Sequence, residues 1–174
     1  MVKRKTCIFI SGQGSNLKNL IHNSRDNNFP IKISLVICDN KKAYGIKYAK
    51  QHKVPYIFVN SKIQNYENKI LSSLRKYNIS FICLAGYMKI ISNNLIKNYH
   101  KKIINVHPSL LPKFKGLNTF SRMLKNRESK AGCTVHYVNS KLDNGKTIVQ
   151  KSFFINSKDN LYTIKKKTQK LEYR

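Results

Sequence analysis

Acidic residues are few in this sequence. Seven Asp and Glu stand against thirty-four Lys and Arg in 174 residues, a formal net charge of +27. An excess of that size implies either a polyanionic partner, nucleic acid or a phosphorylated ligand, or compositional drift in a chain also rich in Asn and Ile. The lysines are scattered, with one short block at Lys165-Lys166-Lys167, and there is neither an arginine-rich tract nor aromatic–basic interleaving of the RNA-binding kind. Drift is the better reading, and nucleic acid is not an expected partner. The four cysteines, Cys7, Cys38, Cys83 and Cys133, form no Cys-x-x-Cys pair, which argues against a disulfide framework and against metal-ligand spacing. They read as reduced small hydrophobes in a cytoplasmic protein. No apolar run approaches the length of a membrane span. The basic start, Val2-Lys3-Arg4-Lys5, is followed by too few apolar residues, Cys7-Ile8-Phe9-Ile10, for a signal peptide.

What is present is an alternation of apolar segments. Residues 6–10 and 31–38 read as strands, and 81–85 is a continuous apolar run typical of a strand buried on both faces. A strand at 102–106 and a short one at 54–59 join them. Helical spacing appears at Leu17, Leu20 and Ile21, over 43–52, and at Ile70, Leu71 and Leu74 within 66–77. Ser92 caps a short helix holding Leu95 and Ile96. Strands alternating with helices imply an α/β domain around a mainly parallel sheet. After Pro112 the pattern changes. A helix over 117–127 precedes strands at 131–138 and 146–154, read as an antiparallel extension. Asp159 is expected to cap a last helix with Leu161, Ile164 and Leu171 in phase. No repeat, linker or second domain is visible, so residues 1–174 read as one domain.

Three segments carry chemistry. Asn105 and His107 stand two apart at the end of a strand, so an amide donor and an imidazole face one small volume, before Pro108 and Pro112 fix the chain. A site that holds an oxyanion and moves a proton needs this pair. A strand end closed by a proline turn, with a structural histidine, produces the same residues. Gly12-Gln13-Gly14-Ser15-Asn16 lies between the first strand and helix, where a tight turn and helix-start N–H groups attract phosphate. Its glycines do not follow the dinucleotide spacing. Leu142-Asp143-Asn144-Gly145 lies at the bend between the late strands, and Asn-Gly is a hairpin signal. Folded toward His107, Asp143 would stabilise the imidazolium and orient its tautomer.

In this order, these segments resemble the folate-dependent glycinamide ribonucleotide formyltransferases over nearly the whole chain. Asn105-x-His107-Pro108-Ser109-Leu110-Leu111-Pro112 with Leu142-Asp143-x-Gly145 marks the formyltransferase superfamily. Ile10-Ser11-Gly12-x-Gly14-Ser15-Asn16-Leu17, Leu84-Ala85-Gly86-Tyr87-Met88 and Gly132-x-Thr134-Val135-His136 narrow it. The resemblance implies a Rossmann-like formyltransferase fold with helices on both faces and a cis Leu111-Pro112 peptide. It implies transfer of a formyl group from 10-formyltetrahydrofolate to glycinamide ribonucleotide in purine biosynthesis, without a metal. By resemblance, Asn105, His107 and Asp143 are catalytic. Gly14, Ser15, Asn16, Leu17 and Lys18 hold the substrate phosphate, and Glu172 its glycine amine. Met88, Lys89, Ile90 and Ile91, with Asn105, Asn139, Ser140, Lys141, Leu142 and Asp143, line the folate site.

Departures from the family pattern are Gln13 for an asparagine, Asn144-Gly145 for Gly-Gly, and Ile63 beside Lys62 where some relatives have a basic residue. Family chains continue past Glu172, so the C-terminal end is expected to be shortened. The partners implied are small molecules, no membrane is involved, and the protein is a monomer or homodimer. Two alternatives differ in kind. One is another folate-dependent formyltransferase or deformylase. The other is a basic nucleic-acid-binding protein on an inactivated formyltransferase scaffold.

Overall fold

Apolar runs without a polar face make sense only in strands covered on both sides. The structure, a computed structural model describing residues 2–60 and 62–174, places them so. Cys7–Ile10 and Leu35–Cys38 have no exposed surface, and Ile82 has none. Two compact units divide the chain, 1–103 and 104–174.

In the first unit, β1 (Arg4–Ile10), β2 (Ile31–Cys38), β3 (Tyr56–Phe58) and β4 (Phe81–Leu84) are all parallel, in the order β3-β2-β1-β4. The register runs from Arg4 opposite Ile31 to Ile10 opposite Cys38, with an irregularity between Thr6 and Cys7. Phe9 is a central side chain, and burying one of this size contributes about 1.5–3 kcal/mol. Helix α1 (Ser15–Asn23) buries Leu17 and Ile21, as the spacing predicts. Helix α2 (Ile46–Gln51) is shorter than the expected 43–52. Gly45 sits against the backbone of Gly14, and its N–H donates to the Gly12 carbonyl at 3.0 Å, so the chain before Ile46 serves the loop and not the helix. Helix α3 (Tyr66–Lys76) buries Ile70, Leu71 and Leu74. Helix α4 (Asn93–Asn98) is capped by the Ser92 hydroxyl, which accepts from the Leu95 N–H at 3.1 Å.

Strand β5 (Ile103–His107) carries the chain into the second unit, where β6 (Lys130–Tyr137) pairs antiparallel with it and β7 (Thr147–Phe154) pairs antiparallel with β6. Helix α5 (Thr119–Lys125) is shorter at both ends than expected, because Asn118 and Arg127 adopt left-handed backbone. A core of Met123, Ala131 and Ile164 collects Phe114, Phe120, Leu124, Phe153 and Ile155. Helix α6 (Leu161–Glu172) corrects two expectations. Its cap is Asn160, in a reciprocal capping box with Thr163, and not Asp159. Asp159 instead accepts from the Asn156 N–H at 2.9 Å and from Lys167 at 2.6 Å. The buried face is Ile164 and Thr168, while Leu161 is exposed. The α/β class expected from the sequence, parallel strands followed by antiparallel ones, is the class observed. Among the described residues no helix is long and apolar enough to cross a membrane. The four cysteines are free and buried. Burial pushes the Cys83 thiol up to about 12 and the Cys133 thiol to about 11, so both are unreactive.

Candidate active site

Strand alternation places Asn105 and His107 on one face of β5, and one carboxylate meets both. Asp143 Oδ2 is 3.3 Å from His107 Nδ1, and Asp143 Oδ1 accepts from the Asn105 amide at 3.3 Å. The side chains of His107 and Asp143 are only 7% and 8% exposed, so these interactions are weakly screened by solvent. The other His107 nitrogen, Nε2, lies 2.9 Å from the Phe114 carbonyl oxygen. Both ring nitrogens therefore face groups that only accept, and both contacts are hydrogen bonds only when the ring carries two protons.

Asp143 reaches the strand from the 138–146 loop. Its own φ is 43°, a left-handed conformation that short polar side chains tolerate better than most. Gly145, in the expected hairpin turn, is required for a different reason: a Cβ there would run into the Tyr137 carbonyl oxygen. Asn139 stabilises the loop by donating to the Asn144 carbonyl at 3.2 Å and accepting from the Lys141 N–H at 3.0 Å. Lys115 donates to the Asn144 side chain. Burial alone raises the Asp143 pKa. The adjacent His136 imidazole, the Gly116 N–H at 2.8 Å and the His107 ring outweigh it, leaving the carboxyl below its ordinary value.

The loop after β5 is held by Thr134. Its hydroxyl donates to the Ser109 carbonyl at 2.7 Å and accepts from the Leu111 N–H at 3.1 Å and from Gln150 at 2.8 Å. Leu111-Pro112 is cis, as the resemblance implied. This anchoring sets the Phe114 carbonyl against His107 and the Gly116 N–H against Asp143. Neither main-chain contact was expected from the sequence.

Sequence reasoning also gave His136 no role. Antiparallel pairing sets it directly opposite Asn105. Its Nε2 is 3.3 Å from the Asn105 amide nitrogen and 3.6 Å from Asp143 Oδ1, and its Nδ1 is 2.8 Å from the Tyr137 carbonyl oxygen. The signal was available in the β5–β6 register, once the strands are known to pair antiparallel.

Other expected site residues lie as follows. Gly14 (φ 70°) precedes α1, which starts without a side-chain cap, and the Asn40 amide donates to the Ser11 carbonyl at 3.2 Å. Leu17 is fully buried, so only its main chain can meet a ligand. Lys18 lies 5.8 Å from the Tyr48 ring centre. The Met88 N–H donates to the Ser11 hydroxyl at 2.8 Å; Met88 and Ile90 are exposed, whereas Ile91 is buried. Leu142 is exposed. Glu172 is the last residue of α6, and its charge contributes to the raised Cys133 thiol.

The chain has relatives of known family. Residues 4–174 match the formyl transferase family. The chain is 36% identical over 174 residues to the phosphoribosylglycinamide formyltransferase of Haemophilus influenzae, covering 98% of this chain and 82% of that protein. It is also 36% identical to the Bacillus subtilis protein of that name, covering 98% and 90%. A crystal structure of phosphoribosylglycinamide formyltransferase from Bacillus halodurans superposes with a TM-score of 0.95 at 32% identity, over 98% of this chain and 90% of that one. Sequence similarity along nearly its full length places the chain in the formyl transferase family, among the phosphoribosylglycinamide formyltransferases.

Proposed function

We propose that this protein transfers the formyl group of 10-formyltetrahydrofolate to the amine of glycinamide ribonucleotide, in purine biosynthesis and in the cytoplasm, with residues 1–174 as one catalytic domain. The observation that carries the reading is the single carboxylate of Asp143 within 3.3 Å of both the His107 imidazole and the Asn105 carboxamide.

The chemistry needs no protein nucleophile. The substrate amine attacks the formyl carbon, and the carbonyl oxygen takes up negative charge. The bond from that carbon to the folate nitrogen then breaks, and the proton lost by the amine goes to the departing nitrogen. Asn105 donates an N–H to the developing oxyanion. His107, its positive charge balanced by Asp143, is the second donor. One well-aimed donor of this kind contributes about 3 kcal/mol to the transition state. The His107 Nε2–H already has an acceptor in the Phe114 carbonyl, so a substrate oxygen competes with that carbonyl for the proton. A ground-state carbonyl competes poorly and an oxyanion competes well, because charged acceptors bind roughly twice as strongly as neutral ones. The donor is thereby kept for the transition state.

Gly14, Ser15, Asn16, Leu17 and Lys18 would take the substrate phosphate, with Gly14 held in a left-handed turn at the start of α1. Glu172 would take the glycine amine. Met88, Lys89, Ile90 and Ile91, of which Met88 and Ile90 are exposed, and Asn105 with the 139–143 loop, are the residues that would receive the folate. No metal is assigned a part in the reaction.

Mixing the protein with glycinamide ribonucleotide and 10-formyldideazafolate tests the reading through the absorbance of the deformylated product. Turnover that requires both substrates is expected. Absence of turnover, together with salt-sensitive RNA binding, would favour the inactivated-scaffold alternative.

A further inference from the structure

Asn105 can donate to a formyl oxygen only if one of its two N–H groups is left over and correctly aimed. Its amide nitrogen lies 3.3 Å from His136 Nε2 and 3.3 Å from Asp143 Oδ1, and those two atoms are 3.6 Å apart. That triangle has an angle of about 66° at the amide nitrogen, against the roughly 120° between the two N–H bonds of a planar carboxamide. The two acceptors are therefore too close together for each to take its own N–H. One N–H lies between them, shared, and the other projects away from both.

This arrangement requires His136 to accept at Nε2. The Tyr137 carbonyl can only accept, so the His136 proton is on Nδ1. Asp143 already balances one imidazolium at His107. A second positive ring, its side chain only 3% exposed, would lack a compensating charge. The orientation of the amide is settled by the carboxylate, which accepts from nitrogen and would repel the amide oxygen.

We propose that His136 is a positioning residue for the transfer. It is neutral, protonated at Nδ1, and together with Asp143 it captures one Asn105 N–H and so aims the other at the reacting carbonyl. The proposal rests on the formyl-transfer reading above. It gives the antiparallel pairing of His136 with Asn105 a purpose beyond holding β6 to β5.

His136→Leu, His136→Gln and the double variant Asn105→Ala/His136→Leu test it in steady-state assays with both substrates. His136→Leu is expected to lower kcat roughly tenfold to a hundredfold, less than the roughly 10²–10³ lost when an oxyanion donor is deleted outright. KM for each substrate should stay near wild type. His136→Gln, which returns an acceptor near the Nε2 position, should recover most of kcat. With Asn105 already alanine, His136→Leu should cost nothing further. Equal losses in the presence and absence of the Asn105 amide would overturn the proposal, as would a change confined to KM. Nitrogen NMR of the labelled wild-type protein decides the case even if a variant fails to fold. A bare Nε2 and protonated Nδ1 on His136 support it, and a protonated Nε2 overturns it. An inactive wild type removes the transfer reading itself, whereas an active wild type with a fully active His136→Leu removes only this inference.

Discussion

Replacing Asp143 with Asn keeps the volume of the side chain and removes the one charge that His107 faces. At 3.3 Å and an effective dielectric of about 20, a carboxylate attracts an imidazolium by about 5 kcal/mol. That is a ceiling, because a neutral amide also avoids the desolvation of the carboxylate. The Gly116 N–H at 2.8 Å and His107 Nδ1 both need an acceptor at the Oδ2 position, so the oxygen of the introduced carboxamide settles there. Its NH2 group then faces the Asn105 amide nitrogen, which it repels, and the aim of that donor is lost as well. We expect a net loss of about 3–4 kcal/mol in the transition state, or kcat lower by roughly 10²–10³. KM for both substrates should stay within about threefold, since the trio acts on the transition state. The initial rate of deformylated product, followed by absorbance at saturating substrates, gives kcat, and the same assay over a range of substrate concentrations gives KM. A kcat within about threefold of wild type in a folded Asp143→Asn protein would refute the reasoning.

Three further outcomes follow from the structure. Gly14→Ala puts a methyl group into the backbone of Gly45 at a φ of 70°, so the start of α1 must move; KM for glycinamide ribonucleotide should rise about tenfold or more, with KM for the folate unchanged in the same assays. The Asp159 carboxyl is held at about 2, first by its hydrogen bond from Lys167, against an ordinary value of 3.8. Its folded value is the lower one, so its stabilisation is complete above pH 3.8 and disappears as pH falls through about 2. Acid unfolding of Asp159→Asn followed by circular dichroism should therefore be flatter than wild type in that window. The Thr168 hydroxyl is buried without a hydrogen-bond partner, so Thr168→Val should stabilise the protein by about 1 kcal/mol, seen as a thermal midpoint higher by about 2–4 °C.

Asn105 and His107 were legible in the sequence because strand geometry alone puts residues two apart on one face. Ile70, Leu71 and Leu74 were legible for the corresponding helical reason. His136 was visible as part of a motif but had no role, because its place beside Asn105 depends on antiparallel register and not on spacing. The Phe114 carbonyl and the Gly116 N–H could not be read at all: nearly every residue has such groups, and only a loop's path decides where they point. Asp159 and Asn160 are adjacent, and either can cap a helix. Lys167, two turns along α6, draws the carboxylate and leaves the cap to the amide.

The account depends on two donors, Asn105 and His107, acting on one oxyanion. The most direct test compares the rate of glycinamide ribonucleotide formylation by the wild type with that of Asn105→Ala/His107→Ala at saturating substrates. Two donors of about 3 kcal/mol each predict an active wild type and a loss on the order of 10⁴ in the double variant. A silent wild type, or a folded double variant that retains most of its turnover, would contradict it.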